Sequence, residues 1–383
     1  MCIRDREKCS GTLENLLIDD MILKDARDNK RNISCCWIDV KKAYDSLSHS
    51  WIKKMLYIHR FPVKLQNVIG KLMDNWNTVL VVPLEKEDFT STRIRITNGV
   101  FQGDVISGDL FTLSLNPVSW ELRRYSGYML SKPINSKITH SFFIDDLKTY
   151  SKSTANMINM LSDIKGKMKD GSLEWNEKKC NIINIKRGRI DLSEDEIVLN
   201  DETKIKCLKS EDLYKFLGVP ENVLHDVEDI VKKLKTVVQQ RTNIIWTSPL
   251  SEFNKVVATY IFVHSAIEYF MWSEKFNLGD IREMDILIRN ILNKVKAKYM
   301  LQANSSLYIP RNKGGRGLKN LETTYKKIKV IAAMNLLTKN DPRMECVRKF
   351  EMNRMKKGRS SILIDAVRSV SYTHLTLPTI LLV

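Results

Sequence analysis

The sequence predicts an α+β protein: an antiparallel sheet with helices packed on it over roughly the first 220 residues, then mostly α-helical chain. Three observations predict this. Short apolar or alternating runs of strand length recur at 34–38, 78–83, 92–97, 138–144, 147–150 and 180–186. Apolar residues at helical spacing lie between them. From about Val223 to Lys298 the composition turns helix-forming, basic and amphipathic.

In chain order, Leu13, Leu16, Leu17 and Met21 mark a first helix, and 34–38 a short buried strand. Ser48 is placed to cap a helix containing Trp51, Ile52, Met55 and Leu56, and Pro62 to begin the next. The runs 78–83 and 92–97 read as paired strands with a polar turn between. Helices follow at 110–122 and 157–168, and the second leads to the strand 180–186. With 383 residues, 43% of them hydrophobic, the chain can build two or more cores and is not disordered.

Acidic residues stand where two of the apolar runs end. Asp39 closes 34–38, and Asp145-Asp146 lies between 138–144 and 147–150, as the tip of a tight hairpin. Taken alone, an Asp-Asp pair reads as an ordinary solvated turn. Together with Asp39, and with Phe101-Gln102-Gly103-Asp104 between them, it suggests nucleotidyl transfer. That reaction is an in-line displacement at phosphorus, and two divalent cations about 3.5–4 Å apart can clamp both the attacking and the leaving oxygen. Such hard cations take carboxylates from separate elements that converge on one point, with water and substrate phosphates completing the shell. Asp39 and Asp145 fit as the principal ligands, an arrangement that suits a polymerase palm.

At these residues the chain resembles the reverse transcriptase family. Asp39 through Asp45 resembles its first palm motif, Gly99 to Ser107 its Gly-Val-x-Gln-Gly-Asp segment, and Phe143 to Asp146 its aromatic-x-Asp-Asp motif. Downstream, Leu173 to Cys180 is similar to the lysine-bearing palm motif, and Tyr214 to Val219 to the primer-grip hairpin. Leu307 to Leu318 is similar to a segment beyond the thumb in non-LTR retrotransposon proteins that carry a restriction-like endonuclease, and Gly11 to Ile18 to the end of that family's fingers. Group II intron and retron enzymes share the palm motifs, and 314–318 favours the retrotransposon. A degenerate copy that keeps the fold and RNA affinity without catalysis is the non-enzyme alternative.

The resemblance implies a polymerase palm with partial fingers, a helical thumb and a C-terminal extension. It implies two Mg²⁺ ions, with Mn²⁺ as an alternative, held by Asp39 and Asp145 with the Val40 carbonyl as an extra ligand; Asp146 tunes the local charge. Lys179 would stabilise or protonate the departing pyrophosphate. Tyr44 is implied as the sugar gate, Gln102 and Gly103 as contacts to the nascent base pair, and Phe216, Leu217 and Gly218 as the primer grip. Read singly, Tyr44 is also consistent with a core aromatic, Gly103 with a plain turn and Lys178-Lys179 with a solvated face. The chain departs from the family at Ser107-Gly108-Asp109, where Ser-Pro is usual, and at Ile144, where smaller residues are common. Implied partners are an RNA template, a DNA primer or nicked target DNA, and dNTPs, in the nucleus or cytoplasm and not in a secreted protein. Protein partners are not legible.

These readings divide the chain into 7–33 (end of fingers), 34–222 (palm), 223–300 (thumb) and 301–368 (C-terminal linker region). Residues 1–6 and 369–383 read as translated sequencing-library adapter, because Met1 to Arg6 and Val370 to Leu375 resemble the two translations of one transposase end sequence. On that reading the true termini lie elsewhere, the chain is a fragment, and most of the fingers are missing.

Composition agrees with a nucleic-acid protein. Sixty-two Lys and Arg against 45 Asp and Glu give a net charge of +17, a field that attracts phosphate backbones. Lys232, Lys233, Lys235 and Arg241 fit either a thumb helix tracking a duplex minor groove or a solvated face, and 310–317 either a nucleic-acid contact or a linker. The most apolar stretch, 260–272, is interrupted by His264 and Glu268 and is too short to span a membrane. The seven cysteines have no zinc-type spacing, and Cys35-Cys36 reads as a pair of buried thiols.

Overall fold

The run Ile-Ser-Cys-Cys-Trp-Ile has no polar face to give to water, and Ile33–Ile38 (β1) is buried at every position. A strand of that kind belongs inside a sheet with both faces covered. The computed structural model describes residues 11–83, 88–209, 212, 214–221 and 227–376. In it β1 is central to a sheet with β2 (His140–Phe143), β3 (Asp146–Ser151), β4 (Asn181–Lys186), β5 (Glu196–Val198) and β6 (Lys204–Cys207), in spatial order β5-β6-β4-β1-β3-β2. The short strand Arg189–Ile190 pairs with β4 outside that path.

All of these pairs are antiparallel except β4 with β6, which run parallel through Asn181↔Lys206 and Ile182↔Cys207. The sheet is otherwise antiparallel, as the sequence predicts. The chain reverses after β4 at Arg187-Gly188 and again between β5 and β6, so β6 returns in the direction of β4.

Helices α1 (Gly11–Asp28), α2 (His49–Ile58), α3 (Val63–Asp74), α4 (Ser107–Arg124) and α5 (Thr154–Asp170) accompany the sheet. Cys36 and Ile38 of β1 share one apolar core with Phe111, Leu115 and Val118 of α4 and Met157, Met160 and Ile164 of α5. On α5 those residues recur three and four apart, the spacing that keeps one face on the core. Ser153 caps α5 by accepting from the Asn156 amide. Ser48 does stand just before α2, but its hydroxyl pairs with that of Ser50 and makes no cap bond. In α1, Asn15 donates to the Phe142 carbonyl at 3.0 Å and accepts from Ser141 at 2.8 Å, which fixes β2 from one side. Of the predicted pairing of 78–83 with 92–97, Asn77–Thr78 pairs with Ile94–Arg95, whereas Val81–Val82 pairs with Phe89–Thr90, ahead of the expected second strand. Cys35 and Cys36 are buried and in no disulfide, in keeping with the buried thiols read from the sequence.

The chain forms two compact units: residues up to Gly218 apart from Leu16–Met21, and Leu16–Met21 with Val219 onward. The second unit is helical, with α6 (Val227–Thr247), α7 (Glu252–Thr259), α8 (Ser265–Ser273), α9 (Leu278–Lys294), α10 (Leu321–Thr338), α11 (Pro342–Lys356) and α12 (Ile362–Thr376). Ile230, Leu234 and Val238 of α6 meet Ile281, Met284 and Ile288 of α9 and Leu321, Tyr325 and Ile328 of α10 in one core. Along α6, Lys235 is held by Asp280 and Glu283 of α9, and Arg241 donates to the Phe262 carbonyl. The 310–317 loop folds back on its own approach, with Gly317 N bonding Ile309 O and Leu318 N bonding Leu307 O, while Arg316 pairs with Glu252. Of the adapter-read stretches, 1–6 and 377–383 lie outside the described residues. Among the described residues, no helix is long and apolar enough to cross a membrane.

A five-residue π-helical segment, Tyr260–His264, joins α7 to α8 and places His264 edge-on to Tyr260 at 5.4 Å. His264 is buried, and neither ring nitrogen has a hydrogen-bond partner among the described residues. Burial, and then the charge of Lys319, holds its pKa down to about 4 from the ordinary 6.5. The unfolded chain therefore binds more protons than the folded one between those values. Stability is full above about pH 6.5 and is lost as pH falls toward 4, by about 3 kcal/mol in all. Urea unfolding of the wild type at pH 7 and pH 5 should show this loss, and His264→Phe should reduce it; an unchanged difference would place the titration elsewhere.

Candidate active site

Asp39 follows β1 directly, so the central strand delivers it to the sheet edge. Asp145 lies in the two-residue turn between β2 and β3, whose last paired residues are Phe143 and Asp146. The first turn residue, Ile144, has φ +54°. A β-branched side chain is rarely found there, and holding one costs about 1–3 kcal/mol. Ile144 packs on the main core, which over-determines the turn and holds Asp145 at its tip.

Beyond Asp39 the chain runs against 174–176. Asn176 N donates to Asp39 O at 2.8 Å, Lys41 N donates to Glu174 O at 2.8 Å, and Val40 bridges to Trp175. This strap carries the short helical turn Glu177–Lys179 to the site, where Lys179 Nζ lies 3.7 Å from Asp39 Oδ2. On the other side, Lys42 adopts a left-handed conformation and starts the short helix Ala43–Ser46. Within that helix Tyr44 is half-buried and stacks on Phe111 of α4, with centroids 4.8 Å apart and planes 11° off parallel.

The next segment is tied to this helix through its backbone: Val100 N bonds Tyr44 O and Gly99 N bonds Leu47 O, both at 2.7 Å. Gly99 has φ +87°, and a Cβ there would sit 2.7 Å from Asp45 O. Only glycine satisfies both conditions. Gly99→Ala should therefore cost about 3 kcal/mol, the sum of a left-handed penalty and a backbone clash. Urea unfolding would measure it, and a loss under about 1 kcal/mol would mean that the two segments part easily.

The outcome is an open cleft of about 890 Å³ lined by Asp39, Val40, Tyr44, Gln102, Asp145 and Lys179, with Lys41 and Asn176 among their neighbours. Asp146, Gly103 and Phe216 to Gly218 do not line it. Gly103 follows Gln102 at φ +92° with open space around it. Phe216 and Leu217 are buried. Leu217 at φ +47° and Gly218 at φ +83° supply the consecutive positive angles that a two-residue hairpin turn requires. Although Asp146 is solvent-exposed, its carboxyl is pushed up to about 6, by desolvation among neighbouring atoms and then by the charges of Asp145 and Asp39.

Among the described residues, no three His, Cys, Asp or Glu side chains are grouped to cage a metal. The cleft offers carboxylate oxygens and no thiol or imidazole. That donor set suits Mg²⁺ or Mn²⁺ over softer metals. Mg²⁺ in particular is commonly held by one or two carboxylates, with waters and substrate phosphates supplying the rest. Asp39 and Asp145 fit that habit.

Two features escaped the sequence reading. The contact between Gly99 and Asp45 follows from a turn angle that no motif prints. Lys148 is wholly buried in β3, on the same face as Asp146. Its signal was present in Leu147-Lys148-Thr149-Tyr150, whose alternation suggests one wet face, whereas both faces of β3 are covered from Leu147 onward.

Residues 4–221, more than half of the chain, match the family Reverse transcriptase (RNA-dependent DNA polymerase), and the chain belongs to that family. Within it the relatives are of the non-LTR retrotransposon kind. The retrovirus-related Pol polyprotein from type-1 retrotransposable element R2 of Nasonia vitripennis is 24% identical over 342 residues, covering 86% of this chain and 32% of the relative. That from type-2 element R2DM of Drosophila melanogaster is 22% identical, with 86% and 31% covered. The chain thus spans about a third of the length of these curated relatives. Among solved structures, apo telomerase from Candida tropicalis aligns over 86% of this chain and 55% of its own at 12% identity, with a TM-score of only 0.37.

Proposed function

We propose that this chain is the palm and thumb portion of an RNA-directed DNA polymerase from an R2-like non-LTR retrotransposon, of the type that carries a restriction-like endonuclease. The observation that carries the reading is the convergence of Asp39, Tyr44, Gln102, Asp145 and Lys179, from four separate stretches of chain, on one open cleft.

Asp39 and Asp145 would hold two Mg²⁺ ions, which would supply charge stabilisation to the primer 3′-hydroxyl and the triphosphate. Asp146 sets the charge beside them. Tyr44, braced by Phe111, forms the floor where the sugar of the incoming nucleotide rests. Gln102 and Gly103 face the nascent base pair. Lys179 leaves its ion pair with Asp39 and holds a proton at Nζ for the departing pyrophosphate. Phe216 to Gly218 grip the primer end. The template is RNA, the primer is DNA or nicked target DNA, and the working compartment is the nucleus or the cytoplasm.

Residues 34–222 act as palm, 223–300 as thumb and 301–368 as a C-terminal linker region; 1–6 and 369–383 are adapter translation. The experiment is primer extension on an RNA template with dNTPs and Mg²⁺. It compares residues 7–368 with a longer protein in which a basic fingers segment is joined to their N-terminus. The longer protein should extend the primer and EDTA should stop it, with the shorter one much weaker. No extension by the longer protein, although it binds primer-template, would leave the relic as the better reading.

A further inference from the structure

Lys148 has no part in the chemistry above, yet it is among the largest wholly buried side chains of the molecule, at 0% exposure. A buried lysine needs compensation for its lost hydration. Two aromatic rings contribute to it here: Nζ lies 4.3 Å from the centroid of Trp37 and 5.0 Å from that of Phe216. The register pairs Trp37 with Lys148 across β1 and β3. Tyr214 packs on Trp37 from the primer-grip side, with centroids 4.8 Å apart.

Strand alternation gives the contact its direction. Trp37 is two residues before Asp39 and Lys148 two residues after Asp146, so ring and ammonium lie on the face that leads to the carboxylates. Phe216 is the first residue of the primer grip. One cation thus touches the strand that carries Asp39 and the grip, and is itself part of the strand that follows the Asp pair.

We propose that Lys148 is a positioning residue, clamping the Tyr214–Phe216 strand and its turn to the catalytic strands and so setting the primer 3′-hydroxyl against Asp39 and Asp145. The proposal rests on the polymerase reading above. A desolvated ammonium between two rings makes a clamp that methylenes alone do not supply. It also explains why a lysine occupies a strand position where an apolar residue would be cheaper to bury.

The test uses Lys148→Met, close in volume but uncharged, and Lys148→Arg, which keeps the cation. Two readouts are taken on the full chain with the same fingers segment joined to it. Amide hydrogen exchange without substrate should quicken by about 10- to 30-fold at 214–218 in Lys148→Met, with β1 and β3 unchanged. Primer extension should lose about tenfold in kcat with the KM for dNTP unchanged, because a misplaced 3′ end lowers the rate without touching nucleotide binding. Lys148→Arg should recover both. Unchanged exchange at 214–218, or equal quickening across the whole sheet, overturns the clamp. Local quickening with normal kcat overturns the positioning role. If Lys148→Met does not fold, Phe216→Leu removes one ring wall and must show the same local quickening. Absence of extension by the unsubstituted protein removes the polymerase reading and the positioning role together, and is recognised because the exchange result then stands unaltered.

Discussion

Asp145→Ala is expected to reduce Mg²⁺-dependent primer extension by about 10³-fold or more while leaving primer-template affinity nearly intact. A divalent ion stabilises the charge of the displacement by several kcal/mol, and each 1.36 kcal/mol is a factor of ten in rate. On the proposed polymerase reading, primer and template would be held by phosphate contacts, which one carboxylate in the cleft scarcely touches.

The same substitution should also stabilise the metal-free protein. Asp146 is pushed up to about 6 partly by the charge of Asp145, so at neutral pH the carboxylates repel one another and the native state bears the cost. With a folded pKa above the ordinary 3.8, that cost is absent at low pH and grows as pH rises from about 4 to 6. Removing Asp145 relieves it, and added Mg²⁺ should raise the melting temperature of the wild type more than that of the variant. A dead variant that melts higher without metal is not a misfolded one. A dead variant that melts lower, or one that still extends the primer, would remove Asp145 from the metal site.

The residues proposed for this chemistry stand out in the sequence because their signals are local. Asp39 and Asp145 each end an apolar run, and the runs 34–38 and 147–150 appear as β1 and β3. The α5 face, with Met157, Met160 and Ile164, could be read from its period alone. What could not be read depends on contacts between distant residues. The parallel pairing of β4 with β6 is decided by how the chain returns after Arg187-Gly188. The idle Ser48 hydroxyl is decided by its neighbour Ser50, and the buried Lys148 by rings over a hundred residues earlier and nearly seventy later. Local pattern says which residues can form a strand, while burial of both its faces is settled only by what packs there. In the helical unit, charge alone left α6 as either a duplex-facing stripe or a solvated face; how Lys235 and Arg241 are engaged within the unit is visible only in the structure.

Tyr44→Ala is the second large expectation, and it concerns selectivity rather than rate. The Tyr44 ring is held flat on Phe111 by a stack only 11° off parallel, and its carbonyl is bonded by Val100 N, so neither ring nor backbone is free to withdraw. A rigid wall discriminates by refusing the larger competitor, and here the difference between substrates is one 2′-hydroxyl. Alanine deletes the wall and leaves Phe111 as a recessed floor with room for that hydroxyl. The ratio of kcat/KM for dNTP over rNTP should fall by about 10- to 100-fold, the range that a single group of that size supports in a shaped pocket. The loss should come mainly from faster ribonucleotide use, with dNTP incorporation falling less because base pairing and Gln102 still position the nucleotide. Tyr44→Phe, which keeps the stack and lacks only the hydroxyl, should retain discrimination. Single-turnover incorporation of matched dNTP and rNTP on one template measures all three. If Tyr44→Ala discriminates as well as the parent, the sugar is read elsewhere in the cleft and Tyr44 is a core aromatic that lines it; if Tyr44→Phe also loses discrimination, the hydroxyl and not the ring does the reading.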